Sequence, residues 1–516
     1  MSKSTNLKRE ITPLSIMIVA ISTTIGSGWL FSPLYAAQIA GYGAILSWII
    51  SAIFMIIIAL PLCELGTLYP ISGGLANYPK YTHGPLIGFI YYWITWLCYV
   101  VMTPIEVLAI IQYSSVYYPN LTIKSGNSVH LTENGFILAL AFMAILTFIN
   151  QFGIRFITEI NKFVTYIKTS VLIIIIVIFL LHIQSFNNIN LKNANLSSFG
   201  FWHGVFQALS IGGIAFTFTG FQNGLVLSGE IKNPQKTVPL AILGAICSCF
   251  VIYSLLQLSF MLALPPKMLV NGYSHLSFIG ESGPIVGLSL MLGIGLVAHL
   301  VFFNAVIAPL SSALMYTAGN SRVLYGMAQN HFMPQFLLKL NKNNSPYIAL
   351  FLNFILGLIA FFPFPGWQKM VAFLSSALIF VYGVGGICVL SLRIQKPTMN
   401  RPFRLKFVKF FSYLSFIMCN LLLYWCGFDI IWKLLFLCFL SYVIFAFSYK
   451  KSEFKFYFKK SSWFIFYMIG MCLVSAIGNY GGGYQLVPEF LDFIPVSIVS
   501  ILSLYFSQFG RLKNID

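Results

Sequence analysis

Thr23-Thr24-Ile25-Gly26-Ser27-Gly28 interrupts the first long apolar stretch of this 516-residue chain, and Phe216-Thr217-Phe218-Thr219-Gly220 interrupts a later one. In hydrocarbon every backbone N–H and C=O has to be satisfied inside the spanning segment, because each orphan costs several kcal/mol. Glycines among hydroxyl residues at bilayer depth therefore point to places where a helix unwinds and its backbone meets something other than lipid. Two such breaks, at corresponding places in two halves of a chain, are the sequence mark of a site between discontinuous helices. The plainer alternative is that the glycines only let neighbouring helices approach closely.

Hydrophobic residues make up 58% of the chain and charged residues 8%, against roughly 25% charged in an average soluble domain. A soluble fold could not hide that apolar surface. The chain is all-α and polytopic. Spans fall at about 13–38, 43–66, 85–116, 135–153, 160–183, 204–228, 238–262 and 282–317. The series continues at about 347–364, 369–393, 410–428, 430–448, 462–479 and 493–509, giving fourteen segments, each near the ~20 residues that a bilayer requires.

The net charge of +18 would suit a nucleic-acid or anionic partner, but its distribution points to membrane topology. With the N-terminus in the cytoplasm, 24 Lys/Arg fall on the inner side, including clusters from Arg393 to Lys409 and from Lys450 to Lys460. Lys124, Lys192, Lys267, Lys369 and Lys433 fall outside, and Lys168 lies within a span. So lopsided a split orients the chain with both termini in the cytoplasm and argues against nucleic acid. The N-terminal apolar run continues past its break with no A-x-A site behind it, so it reads as a span and not as a leader. The nine cysteines contain no CxxC pair and imply neither a disulfide framework nor a metal site. Sequons at Asn120 and Asn195 fall on outward loops, where chance triplets are common.

Spans 1–5 and 6–10 form two halves, each opening with an interrupted helix. Five is odd, so the second half enters from the opposite face and the repeats are inverted. The expected layout is a cytoplasmic segment at 1–12, a ten-helix core at 13–395, four additional spans at 396–509 and a cytoplasmic tail at 510–516. The additional spans suit packing or dimer contacts, in a monomer or a homodimer.

Unwinding at Ile25, Gly26, Ser27 and Gly28 would present amides and a positive dipole end at the start of the outward half-helix, where a carboxylate binds well. At the second break, carbonyls freed near Ala215 to Thr217 would suit an ammonium. One site offering both fits a zwitterion, an amino acid. Phe216 and Phe218 could cover it, or could simply pack among the fifty phenylalanines.

Three runs carry a family resemblance over roughly residues 10–395: Ile25-Gly26-Ser27-Gly28-Trp29; Gly220-Phe221 with Glu230-Ile231-Lys232-Asn233-Pro234-Gln235-Lys236; and Ser321-Arg322-Val323-Leu324-Tyr325-Gly326-Met327-Ala328. The chain resembles the amino acid–polyamine–organocation (APC) transporters. Leu30-Phe31, Tyr35-Ala36-Ala37-Gln38 and Ser72-Gly73-Gly74 look most like the bacterial fourteen-span aspartate–proton symporters. The resemblance implies a five-plus-five inverted-repeat (LeuT-like) core. It implies a substrate carboxylate on the Ser27 and Gly28 amides, with the amino group on carbonyls around Ser22, Phe216 and Thr219. It also gives Lys168, after Asn161 and Thr165, the place of a sodium ion in proton-coupled members.

Charge at bilayer depth is expensive and marks function by default, although a lysine can also snorkel to the interface. On the span boundaries above, Lys168 lies about 12 Å deep at 1.5 Å per residue. Glu106, beside Pro104 in span 3, could carry the proton or bond to a helix break. Gln222 stands where several family exchangers carry a glutamate, so that position cannot titrate. Glu64 is expected near the cytoplasmic surface, and His299 is expected to be a packing histidine. Glu230, Lys232 and Arg322, placed on inner connections, suggest gate contacts or helix-end capping.

No HExxH, GxSxG or P-loop motif is present, which argues against an enzyme or an ATP-driven pump. The expectation is a secondary amino acid transporter with no cofactor, the proton as coupling ion, and the lipid bilayer and an amino acid as its partners. An obligate exchanger or a non-transporting sensor of the same fold are the alternatives. The side chain of the substrate is open: Asn223 and Thr24 are the available donors for an acidic one.

Overall fold

The computed structural model describes residues 9–71, 73–125, 128–189, 200–278, 283–362, 366–448, 451–488 and 491–512. Lys3, Lys8, Ser72, Lys192, the Asn195 sequon, Lys450 and Lys513 lie outside them.

The first span is two helices, α1 (Pro13–Thr24) and α2 (Gly28–Ala40). Thr12 caps α1 by accepting from Ser15 N–H at 3.2 Å, and Pro13, which has no N–H to satisfy, opens it. α3 (Ala44–Leu68), a short α4 (Tyr78–His83) and α5 (Pro85–Ser114) follow. A small antiparallel hairpin, β1 (Thr122–Ser125) and β2 (Ser128–Leu131), stands where the sequence suggested only loop. Next come α6 (Glu133–Ile149) and α7 (Ile154–Leu181).

Span 6 comprises α8 (Phe201–Ser210), α9 (Ile214–Phe218) and α10 (Asn223–Val226). α11 (Pro234–Ala263) is continuous. The expected eighth span, 282–317, is instead a short α12 (Pro284–Met291) and a long α13 (Gly295–Gln329). α14 (Tyr347–Ile359), α15 (Trp367–Tyr382) and α16 (Val384–Gln395) complete the region of the expected core. α17 (Val408–Tyr424), α18 (Phe428–Ser448), α19 (Lys451–Lys460), α20 (Ser462–Ile477) and α21 (Phe493–Gly510) follow.

Among the described residues, nine helical segments are long and apolar enough to cross a bilayer, and two bent helix pairs raise the number to eleven. Shorter apolar helices at Pro13–Thr24, Tyr347–Ile359 and Val408–Tyr424 occupy the expected places of spans 1, 9 and 11. The chain is a multi-pass membrane protein.

α13 packs on α5 and α7, and α11 on α1 and α3. The apolar window of α5 is 94% buried, whereas that of α6 is 28% buried and faces outward. A helix enclosed on all sides can carry an acid such as Glu106 without exposing it to lipid. The two breaks cross at Gly220. Its φ is +121°, and a Cβ there would run into the backbone of Thr23 and Thr24. Only glycine meets both demands.

Candidate functional site

An α-helix leaves its last four carbonyls without intrahelical partners, and at the broken end of α1 side chains from three other helices supply them. Lys168 of α7 donates from Nζ to Ser22 O and Ile25 O, both at 2.8 Å. Ser312 Oγ of α13 lies 2.8 and 3.1 Å from the same two oxygens. Tyr316 OH donates to Thr23 O, and Tyr253 OH to Thr24 O, each at 2.7 Å. Ser311 Oγ, 3.0 Å away, is a third close oxygen for the Lys168 ammonium, which has three protons to donate. Asn161 Oδ1 anchors the surroundings, accepting from Ser22 Oγ at 2.7 Å and Ser311 Oγ at 3.1 Å.

Lys168 is fully buried and does not snorkel. The sequence started its span near residue 160. The helix starts at Ile154, which puts Lys168 about 21 Å along it. The Ser22 carbonyl, expected to receive a substrate amino group, is occupied by Lys168 and Ser312.

The opposite charge lies at the start of α2. Glu106 of α5 lies beside Ser27, at the first residues of α2. The Glu106 carboxylate fills the space that a side chain at Gly26 would need. Its Oε2 is buried without a hydrogen-bond partner among the described residues. Trp367 donates from Nε1 to Ser27 Oγ at 2.9 Å. The Ser27 amide, expected to await a ligand carboxylate, thus has an internal one beside it. Gly28 touches the second broken helix: a Cβ there would lie 2.6 Å from Thr217 Oγ1.

The second interruption starts earlier than the sequence suggested. Gly213 adopts a left-handed conformation (φ +79°), residues 214–218 are helical, and the chain unwinds again at Thr219 and Gly220. Thr217 Oγ1 turns back onto Gly213 O at 2.7 Å, and the Thr219 N–H and Oγ1 both donate to Phe216 O, at 2.8 and 2.6 Å. The Phe216 carbonyl is therefore occupied as well. Gln222 Oε1 accepts from Gly220 N–H at 2.6 Å and from Tyr382 OH at 2.8 Å, and Thr23 Oγ1 donates to Gly220 O at 2.9 Å. Thr24 Oγ1 bonds back to Ala20 O at 2.7 Å, so it is not a free donor.

Asn223 Oδ1 accepts from Tyr99 OH at 2.8 Å, while its Nδ2 is buried with no partner among the described residues. Phe216 meets the Trp367 ring edge-on at 5.8 Å, and Phe31 lies 4.6 Å from the same ring. Phe218 turns away, packing on Trp48 at 5.7 Å and Tyr253 at 6.1 Å. Phe218 thus packs in the interior, and Trp367, which sequence reasoning missed, is the ring that meets Phe216. Ser312 and Tyr316 were missed too, although polar residues one turn apart on an apolar helix were a usable signal.

On the face that carries most of the basic residues, Arg322 Nε pairs with Glu230 Oε1 at 2.9 Å, both side chains buried. Arg322 belongs to α13 and not to a connection. Ile11 N–H donates to Glu230 O and Lys232 N–H to Ile11 O, each at 2.9 Å, so the N-terminal segment is pinned over the pair. The Lys232 side chain is exposed and outside the pair. Glu64 is enclosed by the Arg393–Lys409 cluster: Arg393 Nη2 and Leu405 N–H approach its Oε2 at 2.8 Å, and Arg401 Nε its Oε1 at 3.2 Å. His299 is exposed, not packed.

The sequence model of the amino acid permease family matches residues 11–428. The glutamate/serine transporter AimA of Bacillus subtilis (strain 168) is 32% identical, over 96% of this chain and 93% of its own length. The aspartate-proton symporter of the same organism is 31% identical, over 100% of this chain and 99% of its own. The D-serine/D-alanine/glycine transporter of Escherichia coli (strain K12) is 25% identical, over 77% of this chain and 83% of its own.

Proposed function

The chain belongs to the amino acid permease family and is an amino acid transporter, and we propose that it couples uptake to protons by alternating access around the two broken helices. The observation that carries the proposal is a lysine and a glutamate at the two ends of the first break. Lys168 holds the carbonyl end of α1, and Glu106 lies beside Ser27 at the amide end of α2. The two ends of a broken helix attract a cation and an anion respectively, and here the protein supplies both.

A substrate carboxylate competes with Glu106 for the amides of Ser27 and Gly28. A proton on Glu106 weakens its hold, so proton and substrate arrive together. Lys168, on giving up its proton, loses its charge-assisted bonds to Ser22 O and Ile25 O and frees α1 to tilt. With the N-terminus cytoplasmic, as the Lys/Arg distribution supports, Phe216 and Trp367 form the outer cover. Arg322 and Glu230 form the inner closure beneath Ile11. The moving core is residues 13–395.

The substrate class is acidic and small polar amino acids. The names of the two most fully covered relatives support it. So does the unpartnered Asn223 Nδ2, a donor for a side-chain carboxylate or hydroxyl.

The test is uptake of labelled glutamate, aspartate and serine into proteoliposomes holding no amino acid. With one proton per substrate, each unit of imposed pH gradient should support about tenfold accumulation. No accumulation, with uptake only against preloaded substrate, makes the protein an exchanger and overturns the proposal.

A further inference from the structure

A cavity of about 670 Å³ lies between α19, α20 and α21, among helices that take no part in the broken-helix site. Its walls include Phe456, Lys459 and Lys460 of α19, Trp463 of α20, and Phe506 and Phe509 of α21. A cleft of roughly 300–1,000 Å³ is the size that takes a small organic ligand.

α19 connects two apolar helices and is bent by 54° from α20. It is too short and too charged to span, and it is amphipathic, which places it at the membrane–water boundary. One face packs inward: Phe454 meets Phe445 at 6.5 Å, and a Cβ at Gly84 would lie 3.0 Å from the Tyr457 ring. The other face brings Phe456, Lys459 and Lys460 to the cavity.

The polarity of the cavity is divided. Two ammonium groups stand at the α19 side. Phe506 and Phe509, the latter 65% exposed, continue along the apolar α21. The Trp463 indole N–H is buried and has no acceptor among the described residues, and an orphaned donor of this kind calls for a partner. Gly510 lets α21 close over the junction of α19 and α20, since a side chain there would strike Lys460 O and the Trp463 ring.

We propose that this cavity binds an anionic phospholipid, its phosphate on Lys459 and Lys460 and its acyl chains along Phe506 and Phe509. Cations beside an apolar wall at the interface match a charged headgroup above hydrocarbon. A zwitterionic lipid gains less from the two lysines.

The full-length protein, purified in detergent, is titrated with phosphatidylglycerol, phosphatidylcholine or inorganic phosphate. Bound lipid is followed by native mass spectrometry and stability by thermal shift. Phosphatidylglycerol should be retained and stabilising, and phosphatidylcholine neither. Lys459→Gln/Lys460→Gln should weaken phosphatidylglycerol binding roughly 25-fold, from the contribution of a basic residue near an anionic surface. Lys459→Arg/Lys460→Arg should restore it, and both variants should melt with the wild type when lipid is absent. Equal retention of the two lipids, unchanged affinity in the glutamine variant, or inorganic phosphate reproducing the full shift would overturn the proposal, the last by making this a free-anion site.

Discussion

Replacing Gly28 by alanine tests whether the two broken helices work as one unit. The new Cβ would lie 2.6 Å from Thr217 Oγ1, 2.9 Å from Cγ2 and 3.0 Å from Cβ, all inside van der Waals contact. Thr217 cannot swing away freely, because its hydroxyl is held by Gly213 O at 2.7 Å and by Ser32 Oγ at 3.0 Å. Overpacking of this kind costs about 1–3 kcal/mol. If the strain falls on the transport-competent state, the initial rate of glutamate uptake in proteoliposomes should drop roughly 5- to 150-fold. Thr217→Ala removes two of the three crowding atoms, so Gly28→Ala should cost at least fivefold less in that background than in the wild type. A double-mutant cycle on uptake rates, with thermal shift as a folding control, measures the coupling. An equal cost of Gly28→Ala in both backgrounds would refute the packing argument. It would leave close approach of the substrate backbone as the reason for the glycine.

Lys168→Ala should leave the fold intact, because Ser312 still reaches Ser22 O and Ile25 O. Accumulation under a pH gradient should fall to the equilibrium ratio while counterflow persists. Unchanged gradient-driven accumulation would move the coupling to Glu106 alone. Arg322→Ala strands the buried Glu230 carboxylate and should destabilise by about 3–5 kcal/mol. Arg322→Ala/Glu230→Ala should melt higher than the single variant, and a lower melting point would show that the pair is not the source of the loss.

His83 in α4, outside the spans, is held by burial at about 4, down from 6.5, with Nε2 on Ser507 O at 3.1 Å. The unfolded chain therefore binds the extra proton first. Stability should be full above pH 6.5 and fall by roughly 3 kcal/mol toward pH 4. His83→Gln should flatten that slope in thermal-shift scans, and an unchanged slope would assign it to other groups.

The first break was legible almost to the residue. α1 ends at Thr24 and α2 begins at Gly28, because two glycines flanking a serine in an apolar run leave a local mark. The second was legible as a region and misplaced in detail. Its threonine hydroxyls turn back onto carbonyls of their own segment, Gly213 O and Phe216 O, so the polar run keeps residues 214–218 helical. The unwinding passes to Gly213 and Gly220, where positive φ is tolerated.

Composition determines, from the sequence alone, that this is a polytopic helical protein, and the glycines and hydroxyl residues at Thr23–Gly28 and Phe216–Gly220 mark its two interrupted spans. Hydrocarbon sets that requirement residue by residue. What meets the interrupted backbone was decided only by tertiary structure. The groups that satisfy the end of α1 come from 143 to 293 positions away, and Glu106 reaches the neighbourhood of Ser27 from an enclosed helix. Partners so distant leave no local pattern. They are selected by which helices pack together, and that packing sets a lysine and a glutamate at the two ends of the break at Thr23–Gly28.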